Sequence, residues 1–249
     1  MTPAMRTVGV DLSASPAKTA VAVLDWFDDR AELVELVVGA DDAEIRRLVD
    51  GATRIGIDSP FGWPDGFVEF LVAHHREHLS AGRKLDDIAN RRPLALRRTD
   101  LWIVEAGLGR PLSVSADQIA HVAFRCAGLL ADLGVGNRVE GWAVEAYPAG
   151  ALRRWGLTSR GYKRAANRTV LTELVDALRT AAPWLELGGR HSQMRSDDDA
   201  FDAVVTALIA RAAELGFTTR PSAGDRPVAL REGWIHVPNC ELHELIAAG

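Results

Sequence analysis

Two pairs of aspartates in this 249-residue chain are placed where their carboxylates could act together. Asp11 and Asp58 each follow a short apolar run, in the stretches GVDLS and GIDSP. Asp199 and Asp202 lie three residues apart in SDDDAFDAVVTAL, which puts both on one face of a helix. Capping and dipole effects explain the acids at 197–199, whereas Asp202 lies beyond the first turn among apolar residues and needs a partner. We therefore expect these four carboxylates to form one cluster.

Such a cluster predicts a divalent metal site. Carboxylates drawn together repel one another and raise each other's pKa unless a cation compensates. Mg²⁺ and Mn²⁺ take oxygen ligands, and two such ions about 4 Å apart can activate a water and stabilise a leaving oxygen. This chemistry suits hydrolysis of a phosphodiester bond in a structured or single-stranded nucleic acid. The candidate catalytic residues are Asp11, Asp58, Asp199 and Asp202.

Cationic side chains would be needed to hold the substrate phosphates. Two segments are rich in them: residues 83–98 carry six basic side chains and two acids, and residues 149–168 carry six basic side chains and no acid. Solvated helix faces and an anion-binding surface both account for this pattern, and the sequence leaves the choice open. Candidates for phosphate binding are Arg97, Arg98, Tyr162, Lys163 and Arg164.

The elements that position the acids begin with three apolar runs, RTVGVDLS, KTAVAVLDW and AELVELVVG. Short turns join these runs, which predicts an antiparallel meander. A helix is expected over residues 41–51, followed by a strand in RIGIDSP. Because a helical crossover makes this fourth strand parallel to the first, Asp11 and Asp58 are expected at the same edge of the sheet.

Residues 59–140 follow a different pattern, which we interpret as an insertion or lid. Helical spacing is found in DGFVEFLVAHHREHL and ADQIAHVAFRCAGLLADLG, whereas NRRPLALRRTDLWIVEAGLGRPLSVS lacks it and is expected to be irregular. A fifth strand is expected next, in GWAVEAYP. The elements expected after it are a short basic helix in AGALRRWG, a helix over about 162–180, the acid-bearing helix at 196–216 and a strand-like GWIHVP.

This order of elements predicts an α/β fold of the RNase H-like type. The expected sheet is mixed and five-stranded, with three antiparallel strands and then two parallel ones, flanked by helices. The length suits one domain, residues 1–249, with a helical insertion at 59–140 between strands four and five. A hydrophobic content of 47% and a charged content of 25% are typical of a globular protein.

Composition also bears on location and partners. No apolar run is long enough to cross a bilayer and the N-terminus lacks a signal-peptide core, so we expect a cytoplasmic protein without membrane contact. Cys126 and Cys240 are isolated, which fits a reducing compartment. The net charge of −5 disfavours a polyanion wherever the basic segments do not intervene.

Six motifs occur in order along the chain: GVDLSASPAKTAVAV, IGIDSPFGWP, RRTD, VEAYPAGALRRWGL, DDDAFDAVVTAL and EGWIHVP. With them the chain resembles, over nearly its whole length, domain-of-unknown-function family 429, a family of predicted RNase H-like nucleases. The resemblance implies a relative of the RuvC-type resolvases, with catalytic acids at Asp11, Asp58, Asp199 and Asp202. RuvC-type enzymes usually carry glutamate on strand four, and Asp58 is shorter. Glu145, at the end of strand five in VEAYP, is then a candidate compensating metal ligand.

Two alternatives stay open at this point. A single-lobe phosphotransferase or ATPase of the actin–hexokinase superfold would begin with a similar aspartate-containing hairpin, although that machinery normally pairs two lobes around its nucleotide. A catalytically inactive RNase H-like binding protein would keep the acids while the insertion covers them. The sequence contains neither of the two common glycine-rich nucleotide phosphate loops.

Overall fold

A seven-stranded mixed sheet lies at the centre of the computed structural model, which describes residues 3–115 and 117–246. The strands are Met5–Asp11 (β1), Ala20–Trp26 (β2), Ala31–Val38 (β3), Arg54–Ile57 (β4), Ala143–Ala146 (β5), Leu185–Glu186 (β6) and Ile235–His236 (β7). They lie side by side in the order β6-β3-β2-β1-β4-β5-β7. β1, β2 and β3 are antiparallel, while β4, β5 and β7 continue parallel to β1 on its other side and β6 lies parallel to β3.

Helices occupy most of the chain between and after the strands. The α-helices are Asp42–Val49 (α1), Asp65–His75 (α2), Ile88–Ala95 (α3), Arg98–Glu105 (α4), Asp117–Asp132 (α5), Pro148–Arg154 (α6), Arg168–Ala181 (α7), His191–Met194 (α8), Asp198–Glu214 (α9) and Arg226–Glu232 (α10). Four of them, α2 to α5, fall between β4 and β5. Within the described ranges, none of these helices has both the length and the apolarity needed to cross a bilayer.

The expected meander and the two parallel strands after it are confirmed, but the expected count of five strands is wrong. β6 and β7 contain two residues each and extend the sheet at its two edges. A two-residue strand has too little alternation to be recognised in a sequence, and its existence depends on the strand beside it. GWIHVP was expected to be strand-like, and its Ile235 pairs with Glu145 of β5.

The prediction of irregular structure between α2 and α5 is wrong in part, because this stretch contains α3 and α4. Pro93 lies inside α3, where it obscures the helical pattern. In α4 the buried positions are Thr99, Asp100 and Ile103, which have helical spacing but are mostly polar. A search for apolar periodicity therefore misses a helix whose buried face is stabilised by hydrogen bonds and ion pairs.

The helix expected over 162–180 begins later than predicted, at Arg168. Tyr162 and Lys163 belong instead to an extended loop whose side chains turn toward α9. Gly161 and Arg164 both have a positive φ, of 76° and 79°, which is incompatible with a helix. Helices α8 and α10 were not expected.

Helices cover both faces of the sheet and form two apolar cores. Alternate residues of β2 point to opposite faces: Ala22 and Leu24 pack with α6, α7 and α9, whereas Val21 and Val23 pack with α1 and α5. The longest run of buried residues belongs to α9, from Ala200 to Ala213.

Two glycines allow α9 to lie directly against the central strands. A Cβ on Gly9 of β1 would lie 2.1 Å from the carbonyl oxygen of Ala203, and one on Gly56 of β4 would lie 2.7 Å from that of Thr206. The hydroxyl of Thr7 also donates to the carbonyl of Ala207, at 3.1 Å. Small residues of α9 therefore meet glycines on the sheet, and this contact sets the position of Asp202.

Candidate functional site

Three of the predicted aspartates meet at one edge of the sheet. Asp11 ends β1, Asp58 directly follows β4, and Asp202 lies on the second turn of α9. The backbone N–H of Asp58 donates to the carbonyl of Val10 at 2.8 Å, so the two strands end together. One carboxylate oxygen from each aspartate lies within 4.8 Å of the others. We call Asp11, Asp58 and Asp202 the aspartate cluster.

Asp202 is the most enclosed member of the aspartate cluster and has no exposed surface. Its Oδ1 accepts a hydrogen bond from the Tyr162 hydroxyl at 2.8 Å. Its Oδ2 accepts no other hydrogen bond from the described residues and lies 2.5 Å from the Nζ of Lys163. The Tyr162 ring is itself fixed by an edge-to-face contact with Phe201, with 5.8 Å between ring centroids. The buried acid that capping could not explain is therefore partnered by a tyrosine and a lysine as well as by the other acids.

The Asp11 and Asp58 carboxylates differ from that of Asp202, because no described residue donates a hydrogen bond to them. Within residues 3–115 and 117–246, no hydrogen bond to either side chain is formed. Both line a cavity of about 310 Å³, which also contains Glu145, Tyr162, Lys163 and Asp202. The segment between β4 and β5 also lines this cavity, through residues that include Pro111, Leu112, Ile119 and Val122. The free acceptors of the aspartate cluster thus face a cleft that a ligand could enter.

Burial and mutual repulsion shift the pKa values of the aspartate cluster upward. Burial, followed by the charges of Asp202 and Asp58, raises the pKa of Asp11 well above 3.8. Burial raises the pKa of Asp58 to about 7, against the opposing effect of Lys163. Burial also raises the pKa of Asp202, although Lys163 and Tyr162 lower it in part. Three acids that hold protons this strongly lack sufficient positive charge around them.

Lys163 is the cation closest to the aspartate cluster. Burial lowers the pKa of its ammonium, but Asp202, Asp11 and Asp58 outweigh that effect and raise it. Its side chain is nevertheless 53% exposed, because it reaches the acids from the surface. Lys163 is therefore charged and lies between the acids and solvent.

Asp199 lies apart from the aspartate cluster, in the first turn of α9. It lines a neighbouring cavity of about 350 Å³ that it shares with Asp11, Lys18 and Lys163. Burial and the nearby Asp197 and Asp198 raise its pKa to about 6. The structure thus places Asp199 beside the site without joining it to the three acids.

Glu145 and Arg97 lie close to the aspartate cluster but bind each other. The Arg97 guanidinium donates to both Glu145 oxygens, at 2.7 and 2.8 Å, and to both oxygens of Asp100, at 2.9 and 3.1 Å. The backbone N–H of Phe61 also donates to Glu145, at 2.9 Å. Arg97 and Glu145 are only 1% and 2% exposed. Neither side chain is therefore free for the role expected of it, phosphate binding for Arg97 and metal ligation for Glu145.

Of the four remaining phosphate-binding candidates, two line the cavity and two do not. Tyr162 and Lys163 line the 310 Å³ cavity, whereas Arg98 and Arg164 do not. Arg98 donates to Asp225 at 2.7 Å. The backbone N–H of Arg164 donates to Asp198 at 3.3 Å, which anchors the loop to the start of α9.

Sequence reasoning missed three features of the site. Lys18 lines the neighbouring cavity and was not considered. Gly9 and Gly56, which let α9 reach the sheet, could have been noticed because glycine is unfavourable inside a strand unless another backbone comes close. Gly161 and Arg164, which both have a positive φ, flank the two residues that contact Asp202. Of these two flanking residues, only the glycine is of a type that suggests a positive φ from the sequence.

The family model described as "Protein of unknown function (DUF429)" matches residues 9–226 of the chain. The chain belongs to the DUF429 family. The matched region begins two residues before Asp11 and includes Asp58, Asp199 and Asp202, so all four predicted aspartates of this DUF429 chain lie within it. β7 lies beyond it. Comparisons with curated proteins and with solved structures found no match to this chain.

Proposed function

We propose that this DUF429 chain is a divalent-metal-dependent nuclease of RNase H-like fold, which hydrolyses phosphodiester bonds at the aspartate cluster. The observation that carries the proposal is the cluster itself, three carboxylates with oxygens within 4.8 Å of one another. Two of them, Asp11 and Asp58, have no donor from the described residues and face a cavity. A set of free oxygens of this kind suits Mg²⁺ or Mn²⁺.

The arrangement of strands supports the RNase H-like part of the proposal. An antiparallel meander of three strands is followed by two strands parallel to the first. The acids lie where the first and fourth strands end, and the last of them comes from a long helix packed across both strands. Carboxyl ends of strands in an open α/β sheet are the usual position of a ligand site.

The roles of individual residues follow from their contacts. Asp11, Asp58 and Asp202 would hold the metal, which when bound supplies an activated water and polarises the phosphoryl oxygen. The Tyr162 hydroxyl keeps the Asp202 carboxylate in one orientation, and Lys163 offers an ammonium to a phosphate oxygen. Val122 and other apolar residues across the cavity restrict water around the reacting groups.

A cytoplasmic location and a nucleic-acid substrate belong to the same proposal. Cys126 and Cys240 are both buried free thiols, as expected in a reducing compartment. The sequence is rich in basic residues at 149–168, and Lys163 brings this segment to the cavity. The segment would supply the positive charge that a polyanion needs near an acidic site.

The test measures cleavage of branched, single-stranded and RNA–DNA substrates in Mn²⁺, with EDTA as the metal-free reference. We expect Asp202→Asn and Asp11→Asn to reduce the rate by about a hundredfold or more, because each removes a metal ligand. Asp50→Asn is the control, since Asp50 is an exposed acid outside the aspartate cluster. Its rate should stay within about twofold of the unsubstituted protein, as for a surface change that leaves the site intact.

Two results would overturn the proposal. One is the absence of Mn²⁺-dependent cleavage for the whole substrate panel, together with no effect of Asp202→Asn on Mn²⁺ binding. The other is stabilisation of the protein by ATP and transfer of its γ-phosphate, which would favour the phosphotransferase instead.

A further inference from the structure

Lys163 and Tyr162 together occupy both oxygens of Asp202. The Tyr162 hydroxyl takes Oδ1 and the Lys163 ammonium takes Oδ2, at 2.8 and 2.5 Å. As long as Lys163 stays there, a metal bound at Oδ2 would share that oxygen with a cation, and a metal bound at Oδ1 would lie on the same carboxylate as the ammonium. Like charges at a shared oxygen repel strongly in a buried site. A metal ion and the Lys163 ammonium therefore compete for the Asp202 carboxylate.

We propose that Lys163 is a built-in counter-ion of the aspartate cluster, which a divalent cation displaces from Asp202 when it binds. This inference rests on the proposed function and deepens it, because it states how the metal-free site is neutralised. In the metal-free protein the ammonium reduces repulsion among three carboxylates. Once displaced, it is free at the cavity for a substrate phosphate.

The two partners of Asp202 are built differently, and only one of them can leave. Tyr162 is 1% exposed and packs against Phe201, so its hydroxyl stays at Oδ1. Lys163 has a side chain that is 53% exposed, on a flexible four-carbon stem. The ammonium can therefore move into the cavity while the backbone of the loop stays anchored by the Arg164 N–H bond to Asp198.

Lysine is rare in this chain, so the few lysines can be substituted and their modification followed one by one. Of 29 basic residues, Lys18, Lys84 and Lys163 are the lysines. Lys18 and Lys163 both line the cavity that contains Asp11 and Asp199. Lys163 pairs with Asp202, whereas Lys18 forms no ion pair within the described ranges. Lys18 is therefore a matched control for the general effect of removing one positive charge near the acids.

The first measurement is the Mn²⁺ dissociation constant by calorimetry for the full-length protein and three variants. We expect Lys163→Gln to bind Mn²⁺ about tenfold more tightly, because it removes a charge-assisted contact that the metal must otherwise break. Lys18→Gln should change the constant by less than about threefold, because Lys18 forms no ion pair with the aspartate cluster and its charge is screened by solvent. Lys163→Arg keeps a counter-ion and should stay closer to the unsubstituted protein than Lys163→Gln does.

The second measurement is acetylation of each lysine, followed by mass spectrometry with and without Mn²⁺. We expect Mn²⁺ to increase modification of Lys163 severalfold relative to Lys84, which lies outside both cavities. Asp202→Asn should raise modification of Lys163 even without metal, since it removes the charge that holds the ammonium. Full-length protein is used throughout.

The outcomes separate this inference from the proposed function. If Mn²⁺ binds and supports cleavage, but Lys163→Gln and Lys18→Gln shift the dissociation constant equally, the counter-ion role is wrong and the nuclease proposal stands. Unchanged acetylation of Lys163 on metal binding would also overturn it. If neither the unsubstituted protein nor Lys163→Gln binds Mn²⁺, the metal-dependent function fails and the counter-ion exchange fails with it.

Discussion

Two groups of acids lie side by side at the same edge of the sheet, and they are neutralised in different ways. In the aspartate cluster, three carboxylates share one ammonium that is half exposed. In the neighbouring group, Glu145 and Asp100 share the guanidinium of Arg97, which is almost completely buried. The two groups are close enough for the charge of Glu145 to raise the pKa of Asp58.

The difference lies in how many acceptors are satisfied. Arg97 uses its planar fork to bind both oxygens of each acid, and the Phe61 N–H adds a further donor. Asp11 and Asp58, by contrast, have no donor among the residues that the structure describes. A buried acid that the chain satisfies completely has a structural role, whereas acids left with free oxygens beside a cavity suit a ligand from outside. Proximity of carboxylates alone does not make this distinction.

Removing Arg97 is the largest perturbation that the comparison suggests. Arg97→Met leaves Glu145 and Asp100 buried without their cation, and we expect it to lower the free energy of unfolding by about 3–5 kcal/mol. Urea denaturation measures the change. Arg98→Met is the matched control, because that arginine pairs with Asp225 at the surface and should cost less than about 1 kcal/mol. Equal stability of the two variants would contradict a structural role for the Arg97 group.

A change of pH is expected to have a smaller effect on the free energy of unfolding, and this effect comes mainly from the aspartate cluster. The folded pKa of Asp58 is about 7 and its ordinary value is 3.8, so the folded state binds this proton more tightly than the unfolded chain does. The metal-free protein should therefore be most stable near pH 3.8 and should lose stability as the pH rises toward about 7. We expect a loss on the order of 2 kcal/mol between pH 5 and pH 8 in EDTA.

The control for this pH effect is Asp58→Asn, which cannot ionise and should have a flatter stability profile over the same range. Saturating Mn²⁺ should act in the opposite direction, because a bound cation favours the ionised carboxylates. Thermal unfolding at a series of pH values distinguishes these cases. A profile of the unsubstituted protein that rises with pH in EDTA would mean that the acids are already neutralised by the chain.

Much of the aspartate cluster could be predicted from the sequence because its positions follow from local rules. Asp11 and Asp58 end strands whose apolar runs are evident, and a helical crossover places those strands side by side. Asp202 could be singled out because capping does not require it and its neighbours are apolar. The order of β1 to β5 was predictable for the same reason, since each strand has a recognisable pattern and short connections.

The pairing of Arg97 with Glu145 could not be predicted, because it depends on packing between distant segments. Arg97 and Glu145 are 48 residues apart, and each alone resembles a surface charge. The helix that carries Asp100 buries polar residues, so its pattern does not look amphipathic. The same limit applies to β6, which pairs with the edge of β3 over two residues. Ion pairs and strand pairings that depend on tertiary packing produce no periodic pattern in the sequence.

Asp199 gives the smallest expected effect and tests where the aspartate cluster ends. Its carboxylate lies outside the group of three and beside Lys18, in the first turn of α9. We expect Asp199→Asn to change the Mn²⁺ dissociation constant by less than about threefold and the free energy of unfolding by no more than about 0.5 kcal/mol, because burial and repulsion from Asp197 and Asp198 oppose the attraction between a first-turn charge and the helix dipole. Asp11→Asn is the comparison and should weaken Mn²⁺ binding by more than about tenfold. If calorimetry finds both variants equally impaired, then Asp199 is a metal ligand, and the boundary drawn between the two cavities is in the wrong place.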